Sequence, residues 1–355
     1  MDAIDAALVD INNNQLSVIH YHQFPISREI QQRIRSINAE TRLVDISELD
    51  AILGELFAEA VISLLEQSGQ PASAITAIGS HGQTVLHLPE APHARTVQIG
   101  DPSRIAVRTG ITTVADFRRN DIAAGGQGAP LACGFHAWRF RHPRQNRIIL
   151  NLGGIANITR LPADPSQAVT GFDTGPANGL MDSWIQLHLQ QEYDQDGLWA
   201  ASGHCNEQLL MRLLDEPYFN LAPPKSTGKD LFNLHWLNQQ ISSSGLQLAA
   251  ADIQACLLEL AAHSISAAIT RYATDTDEVL ICGGGAHNQS LVQRLIELLP
   301  GMKIQKTDVY GIKADAVEAV TFAWLAKCRL DNITANIPTV TGARRSVVLG
   351  AIYPG

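Results

Sequence analysis

Cations are scarce in this 355-residue chain: 26 lysines and arginines face 35 aspartates and glutamates, for a net charge of −9. A protein that follows a nucleic-acid backbone concentrates Lys and Arg, so that partner is excluded, while a small anion held locally by backbone amides is not. Cysteine is also sparse. The five (Cys133, Cys205, Cys256, Cys282, Cys328) are widely spaced with no C-x-x-C pair, which fits a reducing compartment and mostly buried thiols. The 12 histidines include no H-E-x-x-H and stand apart from the cysteines, so no metal site is assigned to protein residues. No uninterrupted apolar run approaches the ~20 residues that span a bilayer. The N-terminus, Met1-Asp2-Ala3-Ile4-Asp5, carries acid where a signal peptide carries Lys or Arg. The expectation is a cytoplasmic protein with no membrane partner.

What is present is an apolar, β-branched and glycine-punctuated chain. Hydrophobic residues make up 45% and charged residues 17%, a globular composition, and a prior of roughly 150 residues per domain predicts two domains. Ile148 to Arg160 reads as two strands, Ile148 to Leu150 and Ile155 to Thr159, joined by a turn rich in Asn151, Gly153, Gly154 and Asn157. Glycine without a Cβ lets backbone N–H groups approach a phosphate, although an ordinary hairpin has the same pattern.

Along the chain, Ile4 to Asp10 and Leu16 to Phe24 predict a hairpin across Ile11-Asn12-Asn13-Asn14. Helical spacing follows over Ile30 to Ile37 and Val44 to Gln67. Ile75 to Ser80 is a strand whose carboxyl end carries Ser80, His81, Gln83 and Thr84, where α/β proteins place ligands. Thr96 to Gly100, a helix from Pro102 to Thr109 and Thr112 to Phe117 complete a β-α-β alternation. The stretch from Asp116 to Pro130, with Arg118 and Arg119 followed by glycines, is expected to be a hinge, and Leu131 to Phe140 a helix.

Ala168 to Phe172 is a predicted strand, with Pro176 at the first position of a helix from Ala177 to Gln191. That places Asp173 by a helix N-terminus whose dipole favours its charged form. The Lys225-Ser226-Thr227-Gly228-Lys229-Asp230 run lacks the upstream glycine and the Ser or Thr of a Walker loop. A long helix over Ala249 to Ala273 precedes the strand Glu278 to Cys282, and Gly283-Gly284-Gly285 between that strand and a helix from Ser290 to Leu299 offers a flat surface for a nucleotide. The helix Asp315 to Leu330 holds Glu318 among apolar neighbours.

Seven segments in order, GSHGQTVLHLP (79–89), VADFRRNDIAAGGQGAPLA (114–132), NLGGIANIT (151–159), GFDTGPAN (171–178), PPKSTGKDLFN (223–233), GGGAHN (283–288) and ADAVEAVTFAWLA (314–326), give the chain a resemblance to the anhydro-N-acetylmuramic acid kinases of the sugar kinase, actin and heat-shock chaperone ATPase superfamily. The resemblance implies an α/β fold of two ribonuclease-H-like domains with a cleft between them, divided here at 1–120 and 121–355. It implies an ATP- and Mg²⁺-dependent kinase that opens the bridge of 1,6-anhydro-N-acetylmuramic acid with water, in peptidoglycan recycling. A homodimer is a candidate assembly.

By the same resemblance Asp173 is the expected base, with Glu318 holding water or sugar. Gly153, Gly154 and Asn157 face the phosphates, Gly283, Gly284, Gly285 and Asn288 the adenosine, and Gln83, Asp116 and Arg118 the sugar and its carboxylate. The family places a first strand and a Gly-Thr-Ser-Met-Asp type loop before the hairpin; here Asp2 and Asp5 are what remains of that loop, and the first strand of the N-terminal domain is expected to be missing. The alternative is a catalytically impaired nucleotide- or sugar-binding protein of the same fold.

Overall fold

A computed structural model describes residues 3–12 and 15–355. Asp2 of the expected phosphate loop, and Asn13 and Asn14 of the expected turn, lie outside the described residues. The chain forms two compact units, Met1–Phe135 with Ala316–Gly355, and His136–Asp315. The division falls at 135/136 where the sequence predicts 120/121, and the C-terminal stretch with Glu318 returns to the first unit.

The first unit opens with an antiparallel hairpin of β1 (Ala3–Asn12) and β2 (Gln15–Pro25). The Leu43–Ser68 helix follows, burying Leu49, Leu53, Phe57, Leu64 and Leu65 on one face. It ends at Gly69, whose φ of 67° is the left-handed cap that glycine takes at no cost. Leu49, Leu53 and Phe57 pack with Ile99 and Ile105 as a core cluster. Next come β3 (Ile78–Gly79), the antiparallel pair β4 (Gln83–Leu88) and β5 (Arg95–Ile99), the Pro102–Thr109 helix with Pro in its first turn and Asp101 capping the Ser103 N–H, and β6 (Thr113–Ala115). β6 runs parallel to β3 and antiparallel to the C-terminal strand Ala351–Tyr353.

The expected hinge is a fixed part of this unit. Phe117–Ala123 is a helix, and its Asp121, fully buried, accepts from the Gly128 N–H (2.7 Å), Asn336 Nδ2 (2.7 Å) and Thr341 Oγ1 (2.8 Å). A buried carboxylate satisfied by three donors from separate stretches fastens the glycine-rich loop.

Among the described residues β1 is bonded only to β2, and β3 only to β6, so each has an edge without a partner strand. Both line one cavity of about 1020 Å³, walled by the Leu43–Ser68 and Val317–Leu330 helices. β1 is apolar along most of its length, yet only Leu8 is buried.

The second unit carries a five-stranded mixed sheet. β7 (Arg147–Leu152), β8 (Ile155–Leu161) and β9 (Thr170–Pro176) form an antiparallel meander; β10 (Glu278–Cys282) lies parallel to β7, and β11 (Lys303–Lys306) parallel to β10. This is the ribonuclease-H-like order expected. β7 and β10, central and covered on both faces, read as continuous apolar runs. The Ala250–Tyr272 helix is long and apolar enough to cross a membrane by composition, although polar residues interrupt its apolar run, and most of it is buried in the core of this unit.

Candidate active site

In the second unit the register of four strands lays a polar row across the sheet. Cys282 of β10 pairs with Asn151 of β7, Asn151 with Asn157 of β8, and Asn157 with Asp173 of β9. A bulge between Ala156 and Asn157 turns this part of β8, as bulges next to functional positions do. The row lies at the carboxyl ends of the parallel strands β7 and β10, where open α/β sheets bind ligands.

Asp173 is therefore a strand residue; the helix that follows begins at Asn178. The expected dipole is replaced by its opposite in effect, because burial pushes the Asp173 carboxyl up to about 6, against the lowering influence of the Thr227 N–H. That N–H donates to Asp173 Oδ2 at 3.0 Å, the Asp173 N–H donates to the Lys225 carbonyl at 3.2 Å, and Tyr218 Oη donates to the Asp173 carbonyl at 2.7 Å. Lys225 Nζ lies over the Tyr218 ring and donates to the carbonyls of Tyr218 (3.1 Å) and Phe219 (3.3 Å). Residues 218–227 thus hold Asp173 from main chain and side chain. In the sequence the Lys-Ser-Thr-Gly run stands out only for its likeness to the family and its failure as a Walker loop; its proximity to Asp173 has no local signal.

Gly153 and Gly154 form the β7–β8 turn, and their carbonyls accept from the N–H groups of Ala177, Asn178 and Gly179 at 3.0–3.1 Å. The turn thereby satisfies the first two backbone donors of the Asn178–Leu189 helix and that of Ala177 before it. The three consecutive glycines differ from one another. A Cβ on Gly283 would stand 2.5 Å from Asn151 Oδ1, and one on Gly285 2.1 Å from Asn178 Nδ2, so both are demanded by packing. A Cβ on Gly284 would meet nothing within 4 Å. Asn288, expected at the adenosine, caps the Gln289–Leu298 helix through the Leu291 N–H (3.1 Å) and donates to Asn178 Oδ1 (3.1 Å).

The remaining expected residues belong to the first unit. Arg118 turns Nε and Nη2 to His81 Nε2 (3.1 and 2.9 Å) and Nη1 to the Gly128 carbonyl (2.8 Å). Burial, then the Arg118 charge, pushes His81 down to about 3, so the imidazole is neutral and leaves the guanidinium charge uncompensated by its hydrogen-bond partners. Glu318 has accessible surface, but that surface opens on the cavity between β1 and β3. Desolvation accordingly raises its carboxyl, opposed by Arg118. Asp116, at a left-handed φ of 58°, accepts from Tyr353 Oη (2.7 Å) and pairs with Arg119 (3.1 Å). Gln83 Nε2 donates to the Thr84 carbonyl (2.9 Å), and Asp5 accepts from Tyr21 Oη and Gln23 Nε2.

Fold and polar row place a partly desolvated carboxylate, Asp173, in an α/β unit at the carboxyl ends of its parallel strands. The family model for anhydro-N-acetylmuramic acid kinase matches residues 1–355. Relatives named anhydro-N-acetylmuramic acid kinase are 48% identical in Coxiella burnetii, over 100% of this chain and 95% of the relative, and 48% in Photobacterium profundum, over 100% and 96%. One from Shewanella woodyi is 47% identical over 100% and 96%. The chain belongs to the anhydro-N-acetylmuramic acid kinase family.

Proposed function

We propose that the chain converts 1,6-anhydro-N-acetylmuramic acid, ATP and water into N-acetylmuramic acid 6-phosphate and ADP, in the recycling of bacterial cell wall in the cytoplasm. The family match across the whole chain favours this over an impaired binding protein. Oxygen 6 of the anhydro sugar is tied to C1, so the substrate has no free hydroxyl there to phosphorylate. Water attacks C1 and gives its proton to Asp173; the C1–O6 bond breaks; oxygen 6 takes the γ-phosphoryl group as the bond to ADP breaks.

The observation that supports this reading is Asp173, a carboxyl held by residues 218–227 and raised to about 6. A base in that range is mostly ionised near neutral pH yet binds a proton more tightly than an exposed aspartate does. Arg118, with donors left after His81 and Gly128, is assigned to the sugar's carboxylate, and Glu318 to its water or ring. A Mg²⁺ that arrives with ATP needs few protein carboxylates. Asp5 is the described carboxylate that would help hold it, and the ion would neutralise phosphoryl charge.

An ADP-release assay tests the reading: the anhydro sugar should be turned over and free N-acetylmuramic acid should not. Equal turnover of both would identify an ordinary hydroxyl-directed sugar kinase. The pH profile is a second check. Because Asp173 must be ionised to act, kcat/KM should fall about tenfold per unit as pH drops below about 6. A profile flat down to roughly pH 4.5 would remove Asp173 from the role of base.

Gly284 is the point at which the nucleotide assignment can be separated from packing. Gly284→Val adds a side chain where no protein atom stands, so thermal stability should hold while the KM for ATP rises at least roughly tenfold and that for sugar stays. Equal rises for both substrates would count against a nucleotide at this loop.

A further inference from the structure

The cysteines stand far apart in the sequence, and the fold brings two of them together. Cys256 lies fully buried in the Ala250–Tyr272 helix, part of the core of the second unit. Cys205, half-buried, packs against that core from the short span between the Leu198–Ser202 and Glu207–Leu214 helices. The span is laid along the long helix residue by residue. Gly203 has no room for a Cβ, which would run into the Ala251 carbonyl, and the His204 N–H donates to Asp252 Oδ1 at 2.8 Å. The Asn206 N–H donates to Cys256 Sγ at 3.2 Å, and that sulfur lies 3.7 Å from the Asn206 carbonyl oxygen. Cys205, between His204 and Asn206, has its thiol hydrogen-bonded to that of Cys256.

Two thiols in contact differ chemically from two thiols apart. The Cys205 S–H, helped by the Asn206 N–H, holds the Cys256 thiol below the usual cysteine range, against burial and the Asp252 and Glu259 carboxylates. Cys205 is held above that range by the proton it gives to the Cys256 sulfur. The first proton to leave the pair therefore leaves from Cys256, and what remains is a thiolate aimed at a neighbouring S–H. Thiolate character and access decide which cysteines oxidise, and a second thiol at the oxidised sulfur turns the product into a disulfide. Here the accessible sulfur and the thiolate belong to the two members of one pair. The mechanism assigned to Asp173 uses neither.

We propose that Cys205 and Cys256 form a reversible oxidation site, at which hydrogen peroxide converts the two thiols into a disulfide that fastens the 203–206 span to the Ala250–Tyr272 helix. Peroxide meets Cys205, the accessible member. The Cys205 sulfur attacks one peroxide oxygen as the Cys256 thiolate takes its proton; the O–O bond breaks, Cys205 becomes a sulfenic acid and hydroxide leaves. Hydroxide recovers the proton from Cys256 as water. The Cys256 thiolate then attacks the Cys205 sulfur, the S–O bond breaks, and the second hydroxide departs. Two thiols have given two electrons to one peroxide. Sulfurs already in hydrogen-bond contact close to the ~2.05 Å of a disulfide by side-chain rotation, with the span left on its helix contacts. The ring so closed, of about 50 residues, contains residues 218–227 that hold Asp173, and touches none of them.

Peroxide treatment of the folded 355-residue chain tests the site. Peptide mapping without reductant should find one cross-link, Cys205 to Cys256, formed at least roughly tenfold faster than in chain unfolded by urea and reversed by dithiothreitol. The bridged protein should melt about 5 °C above the reduced one. In Cys256→Ala, Cys205 loses its resolving thiol and should accumulate as a sulfenic acid that dimedone traps, which the parent should not. Cys205→Ser, with a hydroxyl in place of a half-buried thiol, should fold as the parent does and form no bridge. Cross-links to Cys133, Cys282 or Cys328 in place of this one, equal rates in folded and unfolded chain, or the same dimedone adduct on parent and Cys256→Ala would overturn the proposal. A bridge that lowers Tm would show that it strains the span and does not fasten it. These readouts follow thiols and melting, so none depends on the activity assigned to Asp173.

Discussion

Asp173→Asn should lower kcat by at least roughly 10², the scale of a removed general base, while leaving the protein at least as stable as before at about pH 8. The two halves of this expectation come from one fact. Asp173 is raised to about 6 because burial penalises its charge, so the folded state binds a proton more tightly than the unfolded chain does. A carboxyl of that kind contributes stability at low pH and loses the contribution as pH rises from the unfolded value through about 6. At about pH 8 the ionised side chain is therefore a burden that Asn does not carry, and the Asn amide oxygen can still accept the Thr227 N–H. Sugar and ATP binding, followed by calorimetry, should persist. Activity within a few-fold of the parent in a folded Asp173→Asn protein would sink the base assignment and pass it to Glu318. A loss of stability with the activity would point to a purely structural aspartate.

The largest stability effect is expected far from that site. At the opposite end of the same strands, Arg147 of β7 and Glu278 of β10 form an ion pair at 2.8 Å, with side chains 6% and 2% exposed. Glu278 also accepts from Gln305 Nε2 (2.7 Å) and Tyr310 Oη (2.8 Å), and Arg147 donates to the Phe140 carbonyl (2.8 Å) and lies over the Tyr310 ring. Glu278→Ala strands a guanidinium without its counter-charge and should cost about 3–5 kcal/mol, the range for breaking one partner of a buried pair. For a unit of this size that lowers Tm by roughly 10 °C. The double variant Arg147→Met with Glu278→Leu should recover most of the loss, since an apolar pair of similar volume removes both desolvation penalties. A single variant as stable as the parent, measured by denaturant melts, would mean that water reaches the pair.

What the sequence disclosed and what it hid divide along physical lines. Several local signals were legible: the Pro102–Thr109 helix and the strand Glu278–Cys282 have the predicted bounds, and the hairpin of β1 and β2 was visible from two strand-like runs on either side of an Asn cluster. The setting of Asp173 was not. Pro176 after Gly175 reads as a helix start, but cross-strand pairing with β8 extends β9 through Pro176 and overrides the local signal. Long-range contacts hid the rest. Nothing near Asp116 or Gly125 announces that Asp121 will be tied to Asn336 and Thr341, so a fixed loop looked like a hinge. Likewise Gly283, Gly284 and Gly285 look alike as letters and separate only when Asn151 and Asn178 are brought against two of them. The polar row from Asn151 to Asp173 was half legible, its residues recognisable one by one and their alignment set only by register.

The first unit is assembled from two stretches of chain, 1–135 and 316–355, with the second unit entire between them. On a ribosome this fixes an order of events. The second unit has all its strands once Asp315 is made, and can close its core while the first still lacks the Val317–Leu330 helix and the strand that pairs with β6. Throughout that interval Asp121 waits without Asn336 and Thr341, so the half of the protein synthesised first is the half finished last. Pairings this distant in sequence close slowly, because loop-closure entropy must be met before their contacts form.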